Sequence, residues 1–207
     1  MFNVFTSNDP ELPTEITTRK DGEARFPYYI PFDSFVNTIE NYPYPFIQAG
    51  VCWQFPCVVP SDWEAQNVQR SNNPDTVRDM KYALDATVIK KGIYPLVFHP
   101  HGWIRNDQII ELINHAHSKY GKRVKFMTFK DCLERINKNL LKGSSLRADN
   151  GSDNGVRLLD LNSDGYLDVL IGDGQRQLTR VYAPCLLYTS DAADEGLGVD
   201  LGGRRII

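Results

Sequence analysis

Apolar runs and capped amphipathic segments alternate between residues 51 and 141, and this alternation limits the folds open to the chain more than any other feature. The spacing predicts strands over 51–60, 94–102 and 122–129, and helices over 71–92, 106–121 and 130–141. Asn73 is the expected N-cap of the first helix, and Pro74 suits its first turn. Strand–helix units that repeat in this way predict an α/β fold with parallel strands.

The first 50 residues hold six of the twelve prolines. Proline fixes φ and removes a backbone donor, so this density predicts short strands and turns instead of long helices. The Asp21–Gly22 pair predicts a hairpin turn. The aromatic run at 42–46 is expected to cover the core, with a carbohydrate cleft as the alternative.

The predicted strand at 94–102 ends in a polar cluster that contains His99, His101 and Trp103. Functional groups of β/α folds gather at the carboxyl ends of strands, so this cluster is a candidate site. A histidine there can bind metal, transfer protons or be hydrogen-bonded in the core. His115 and His117 lie on the next predicted helix and are expected to be ordinary surface residues.

An Asp62–Trp63 pair precedes this cluster by one predicted helix. The order of Asp-Trp, helix, hydrophobic-x-His, helix, glycine and strand resembles the polysaccharide deacetylase family, the NodB-like carbohydrate esterases, over roughly residues 50–140. The resemblance implies the C-terminal part of a deacetylase-type (β/α) barrel acting on N- or O-acetyl groups of a polysaccharide. It implies His99 as the general acid and Asp62 as the carboxylate that favours its protonated form. The implied substrate pocket comprises Trp63, Val97, His101 and Trp103.

The family also needs an aspartate pair and an H-x-x-x-H pair for a divalent, zinc-like metal ion. No histidine precedes His99, and the chain contains no Asp-Asp pair. We therefore expect residues 1–142 to be only the later part of such a domain, a fragment that is inactive alone. The glycine, serine and asparagine run at 143–155 is the expected linker. An unrelated zinc hydrolase using His99 and His101 is an alternative hypothesis.

The segment 156–174 is predicted to be two short strands joined by an acidic loop. Its D-x-N-x-D-G-x-x-D pattern directs alternate oxygen ligands to one point and predicts bound calcium. The expected ligands are Asp160, Asn162, Asp164, the carbonyl of Tyr166, and Asp168. Strand-like flanks and the absence of a glutamate at the twelfth position exclude an EF-hand. A solvated acidic turn without metal is the alternative.

Residues 156–184 resemble a single FG-GAP or VCBS repeat, a unit of an all-β propeller. The combination with a deacetylase-like segment implies an exported parent protein, either periplasmic, on the cell surface or extracellular. A noncatalytic, calcium-dependent adhesion or carbohydrate- and protein-binding module is the competing function.

The net charge and the hydropathy of the chain limit the kinds of partner that it can bind. The net charge of −3 gives no basic face for nucleic acid, and no apolar run is long enough to span a membrane. A polysaccharide substrate or ligand remains the expected partner. Four cysteines are too few for a disulfide framework, so Cys52 and Cys57 are expected to be buried thiols, with a disulfide between them as the alternative.

Residues 185–207 read CLLYTSDAADEGLGVDLGGRRII. The blocks CLLYTSDAADE and VDLGGRRII resemble, in the right order, a translation of the transposase adapter used to build sequencing libraries. We therefore expect a non-native tail after Pro184 and exclude it from fold reasoning. A natural flexible tail is the alternative.

Overall fold

The computed structural model describes residues 1–32, 37–50, 52–172 and 177–182, together with the backbone of 204–206. The chain divides into two compact units. Unit 1 comprises Met1–Pro45 and Phe55–Val124, and unit 2 comprises Phe46–Gln54 and Lys125–Ile207. The expected linker at 143–155 lies inside unit 2.

The strands are short. They are β1 (Phe2–Val4), β2 (Thr38–Glu40), β3 (Phe46–Gln48), β4 (Cys52–Gln54), β5 (Cys57–Val58), β6 (Val156–Leu159), β7 (Asp168–Gly172), β8 (Gln177–Tyr182) and β9 (Arg204–Ile206). The helices are α1 (Thr14–Thr17), α2 (Asp62–Glu64), α3 (Pro74–Ile89), α4 (Asn106–Tyr120) and α5 (Phe129–Arg135). Single π-helical segments continue α2 over Ala65–Gln69 and α5 over Ile136–Leu140, and 3-10 turns occupy Pro27–Tyr29 and Gly121–Arg123.

Unit 1 contains a three-stranded parallel sheet in the order β2-β1-β5. Phe2 pairs with Thr38 on one side and with Cys57 on the other. Phe5, Phe26 and Tyr29 are fully buried beside this sheet and pack with Ala83 and Ala86 of α3. The proline-rich front of the chain therefore builds both the sheet and its core.

Helices α3 and α4 form where the sequence predicts them. The Asn73 side chain accepts the Asp75 N–H at the start of α3, as its N-cap position requires. Helix α4 differs in one detail, because Arg105, rather than Asn106, occupies its N-cap position. Gly121, with a φ of 54°, ends α4 as predicted. The two helices bury an apolar seam that includes Val77, Met80, Leu84, Leu112 and Ala116.

Gly92 follows α3 at a point where the chain comes very close to Pro43. A Cβ atom at position 92 would lie 2.5 Å from the Pro43 side chain and 2.8 Å from its carbonyl oxygen. Only glycine therefore allows this approach, which also lets the Ile93 N–H donate to the Pro43 carbonyl. Tyr42 and Tyr44 are buried on either side, so the aromatic run covers the core as expected.

Two of the predicted strands were wrong. The segments 94–102 and 124–128 have no strand assignment, and Phe98 and Phe126 are mostly exposed. The predicted strand at 51–60 is divided between β4 and β5, which join different sheets, and only its second part is buried. Apolar runs indicate burial but supply no pairing partner, and a strand requires one.

Unit 2 contains an antiparallel sheet in the order β6-β7-β8-β9 and a separate β3-β4 pair. Strands β6 and β7 pair from Val156↔Ile171 to Leu159↔Asp168, which confirms the predicted strands on both sides of the acidic loop. Strand β9, which pairs with β8, lies in the tail where no strand was predicted. None of the sheets formed by the described residues closes, and the barrel and propeller architectures remain predictions.

A buried ion pair joins the front of unit 1 to α3. The Arg25 guanidinium donates to the Asp79 carboxylate at 2.7 Å, and the Tyr29 hydroxyl donates to its other oxygen at 2.8 Å. Arg25 also donates to the carbonyls of Glu15, Ile16 and Thr18. These bonds fix the irregular segment around α1 against α3.

Replacing Arg25 is expected to destabilise unit 1 strongly. Arg25→Ala leaves Asp79 buried without its main cation, and such a loss costs about 3 kcal/mol. Urea unfolding followed by circular dichroism measures the change. Arg105→Ala is the control, because its partner Asp107 is exposed and a surface pair of this kind contributes little to stability. Equal losses for the two variants contradict the prediction.

Candidate functional site

Asp62 is the first residue of α2 and is completely buried. Ser61 caps the helix, accepting the Trp63 N–H with its side chain. Glu64 completes a capping box, because its carboxyl accepts the Ser61 N–H at 2.7 Å and the Ser61 hydroxyl at 2.5 Å. These local bonds fix the turn from which the Asp62 side chain projects.

The Asp62 carboxylate binds His99 through both of its oxygens. Its Oδ1 lies 3.0 Å from His99 Nδ1, and its Oδ2 accepts the His99 backbone N–H. An ionised carboxylate only accepts hydrogen bonds, so this contact assigns a proton to His99 Nδ1 and leaves Nε2 as the ring nitrogen that Asp62 does not bind. The His99 side chain is 45% exposed whereas that of Asp62 is 0% exposed. A buried anion therefore orients an accessible imidazole.

His101 and Trp103 complete a group of three aromatic rings around His99. The His99 and His101 rings are nearly parallel with centroids 5.9 Å apart. The Trp103 ring is tilted against both, at 5.2 Å from His99 and 4.9 Å from His101. The sequence-predicted residues Asp62, His99, His101 and Trp103 are thus brought together. Trp63 is half-buried beside Asp62 on α2, and Val97 is exposed on the segment that leads to His99.

Glu64 is a member of the site that the sequence analysis missed. It is completely buried, and burial raises its pKa against the opposing effect of the Ser61 hydrogen bonds, with a smaller increase from the Asp62 charge. Burial likewise raises the pKa of Cys57 to about 12, and the next cause is the Glu64 charge. Burial, then Cys57 and Glu64, raise the pKa of Tyr94. The S-x-x-E spacing of Ser61 and Glu64 is the signal in the sequence that could have identified this residue.

A second polar cluster joins α3 and α4. Asp85 is buried and accepts from the Tyr120 hydroxyl at 2.7 Å and the Lys119 ammonium at 2.8 Å. His115 Nε2 lies 2.7 Å from the same carboxylate. The prediction that His115 is an ordinary surface residue was therefore wrong, since it is bonded between the helices. His117 is exposed as expected.

Hydrogen bonds from its own side chains to its own backbone hold the acidic loop between β6 and β7. Asp160 Oδ1 and Asn162 Oδ1 converge on the Asp164 N–H, at 3.1 and 3.3 Å. Asp164 in turn accepts the Tyr166 N–H at 2.8 Å, and the Gly165 φ of 84° allows the sharp turn. Asp168, at the start of β7, is buried and accepts the Leu161 N–H. The side chains of Asp160, Asn162 and Asp164 thus bond to backbone amides of the loop, and calcium binding there stays a prediction.

Metal ligation has no further support from the geometry. Within the part of the chain that the structure describes, no three or more His, Cys, Asp or Glu side chains are arranged to hold a metal ion. No helix in that part is both long and apolar enough to cross a membrane.

Cys52 is exposed and Cys57 half-buried, and both are free thiols, so the expectation of two buried thiols holds only in part.

Comparison with protein-family models finds no matching family, and comparison with curated proteins and with solved structures finds no significant match. The resemblances drawn from the sequence therefore remain predictions.

Cys57 is expected to resist alkylation. With a pKa of about 12, only roughly one ten-thousandth of its thiol is thiolate at pH 8, and the thiolate is the reactive form. Iodoacetamide labelling followed by peptide mass spectrometry should modify the exposed Cys52 first and leave Cys57 intact until the chain is denatured. Labelling of Cys57 at the rate of Cys52 contradicts the burial of the Cys57 thiol.

Proposed function

We propose that unit 1 carries the proton-donating part of a carbohydrate deacetylase site, with His99 as the general acid and Asp62 as its orienting carboxylate. The observation that supports the proposal is the double contact between Asp62 and His99 across 37 residues of chain. These are the two residues that the sequence resemblance pairs. An exposed imidazole whose ring is oriented by a buried carboxylate is suited to donate a proton.

The chemistry of these residues follows from the hydrogen bonds. With Nδ1 bonded to Asp62, the protonated ring presents its Nε2–H to a leaving nitrogen or oxygen. As the bond from the acyl carbon to that atom breaks, the atom keeps the electron pair and takes the Nε2 proton. His99 then becomes neutral, and the Asp62 bond keeps its ring in place. The attack of water on the acetyl group is assigned to no residue of this chain.

The ring group of His99, His101 and Trp103 supports a carbohydrate substrate. Sugar rings have apolar faces that pack on exposed aromatic side chains, and the ring edges here supply hydrogen-bonding nitrogens. His101 is exposed and Trp103 half-buried, so both are accessible from solvent. The divalent metal of the resembled family has no ligand set among these residues, and no step of the proposal depends on it.

The purified chain is expected to bind a chitin oligosaccharide without releasing acetate from it. Binding should shift the ¹H–¹⁵N signal of the Trp103 indole, whereas release of acetate requires groups that activate water. Trp103→Ala should weaken binding roughly tenfold, the loss of about one aromatic contact. NMR titration and an acetate assay on the same samples measure both.

His117→Ala is the matched control, because His117 is exposed on α4 away from the three rings and should bind as the unchanged chain does. Absence of any Trp103 shift at millimolar oligosaccharide contradicts the carbohydrate assignment. Acetate release by the unchanged chain contradicts the expectation that the chain is inactive alone.

The second candidate function is a noncatalytic, calcium-dependent adhesion or binding module of an exported protein, and the acidic loop favours it. The donor set fits calcium, a hard cation that takes six to eight oxygens. The Asp160 and Asn162 side chains already converge on the Asp164 N–H, and within the part of the chain that the structure describes no ion pair involves Asp160 or Asp164. Carboxylates crowded together without a cation repel one another. Asp168 and the Tyr166 carbonyl are the further ligands that the sequence pattern supplies.

Calcium binding to this loop is expected to depend on Asp160. Terbium, which replaces calcium, should show luminescence sensitised by Tyr166, and calcium should compete it away. Asp160→Asn should weaken binding roughly tenfold or more, because affinity falls with the number of ligand charges. Asp149→Asn, which removes an exposed carboxylate outside the loop, is the control. Equal affinity for the two variants contradicts the assignment.

A further inference from the structure

We propose that Glu64 is a positioning residue that stays uncharged, fixing the turn that carries Asp62 while leaving Asp62 as the anion that faces His99. This inference rests on the proposed function, because it gives Glu64 a role in the same site. Glu64 lies outside the predicted site, and only its local sequence spacing marks it.

The positioning part of the inference follows from two hydrogen bonds. Glu64 Oε2 accepts from both the backbone N–H and the hydroxyl of Ser61, the residue directly before Asp62. Ser61 also caps α2 through the Trp63 N–H. The Glu64 carboxyl therefore closes a ring of bonds around the first turn of α2. If it is displaced, Ser61 is released and the direction of the Asp62 side chain is no longer fixed.

The uncharged state follows from the surroundings of the other oxygen. Glu64 Oε1 is buried and has no hydrogen-bond partner among the described residues. A full negative charge spread over such an oxygen is costly in the interior, whereas a neutral carboxyl is much less so. Among the described residues, the charged group that acts on Glu64 is another acid, Asp62 on α2. Glu64 itself acts on Cys57 of β5, which the N-terminal ammonium also influences, and on Tyr94. Burial accordingly raises the Glu64 pKa, although the two hydrogen bonds from Ser61 act in the opposite direction, and the Asp62 charge adds a smaller increase.

The two parts have one consequence for the site. Asp62 and Glu64 are both completely buried and are separated by a single residue. If both were ionised, two like charges would repel each other within one buried turn. With Glu64 neutral, the Asp62 charge is directed to the His99 ring and backbone N–H. The pair thus separates two roles, one carboxyl that supports the turn and one that orients the imidazole.

The test uses the whole chain and NMR, without substrate. The Glu64 side-chain carbonyl carbon, assigned by comparison with Glu64→Gln, reports its protonation. At pH about 5.5 an ordinary glutamate, with a pKa of about 4.3, is more than nine-tenths ionised. Glu64 is expected to remain neutral there. An ionised Glu64 at this pH overturns the uncharged state.

The positioning role is tested through the tautomer of the His99 ring, read from its two ¹⁵N shifts near pH 8. The unchanged chain and Glu64→Gln, which keeps an acceptor in place, should show the Nδ1–H form. Glu64→Asp, which is one methylene shorter, should lose it and show the Nε2–H form that free histidine prefers in water. Asp62→Ala is the reference for complete loss. An unchanged His99 tautomer in Glu64→Asp overturns the positioning role.

Folding and function are kept separate from these readouts. The His115 ring, bonded to Asp85 between α3 and α4, gives an internal signal that stays constant wherever unit 1 is folded. If Glu64→Asp fails this check, Ser61→Ala replaces it, because it removes one of the two hydrogen bonds to Glu64. Ser61→Ala should also lose the Nδ1–H tautomer of His99. An unchanged tautomer in that variant overturns the positioning role. If the chain does not bind carbohydrate, the proposed function is wrong, but the measured state of Glu64 is unaffected. If Glu64 is ionised, this inference is wrong, but the carbohydrate-binding result is unaffected.

Discussion

The buried contact of Arg25 with Asp79 is the constraint on which the order of unit 1 depends. The front of the chain has little regular structure of its own, since α1 has four residues and β1 only three. A guanidinium with five donors can bond several carbonyls of such a segment together with one carboxylate. Asp79 lies on α3. Arg25 therefore attaches the irregular segment around α1 to a regular helix. The buried Tyr29 donates its hydroxyl to the other Asp79 oxygen, so the same carboxylate also holds a side chain of the core.

The Asp62–His99 contact holds a second segment that has no regular structure of its own. The segment from 93 to 101 has no strand pairing to hold it, and the backbone N–H of His99 is bound by a side chain rather than by a neighbouring strand. Asp62 therefore does two things at once: it satisfies a backbone donor of an irregular segment and orients the ring of the same residue. The position of the His99 ring therefore depends on one buried carboxylate, and the capping box of α2 fixes the position of that carboxylate.

The parts that could be predicted from the sequence are those determined by neighbours in the chain. Helices α3 and α4 have local caps and apolar stripes, and the β6–β7 hairpin has its loop encoded between its strands, so all three form as predicted. The strands of the β2-β1-β5 sheet come from distant parts of the chain. No local pattern specifies which of these short apolar runs will pair, and the runs at 94–102 and 124–128 find no partner. The same limit applies to His115, whose bond to Asp85 depends on how α3 and α4 pack.

The candidate site shows the same division between local and distant information. Asp62 and His99 were paired through the order of motifs in a resembled family, since nothing in their local sequence connects them. Glu64 is encoded locally by its spacing from Ser61, but its chemical importance arises from complete burial, which depends on the fold around it. Each carboxyl accepts two hydrogen bonds, but Asp62 has them on both oxygens whereas Glu64 has both on one oxygen. The distribution of the donors, rather than their number, therefore supports the proposal that Asp62 is the carboxyl that carries the charge.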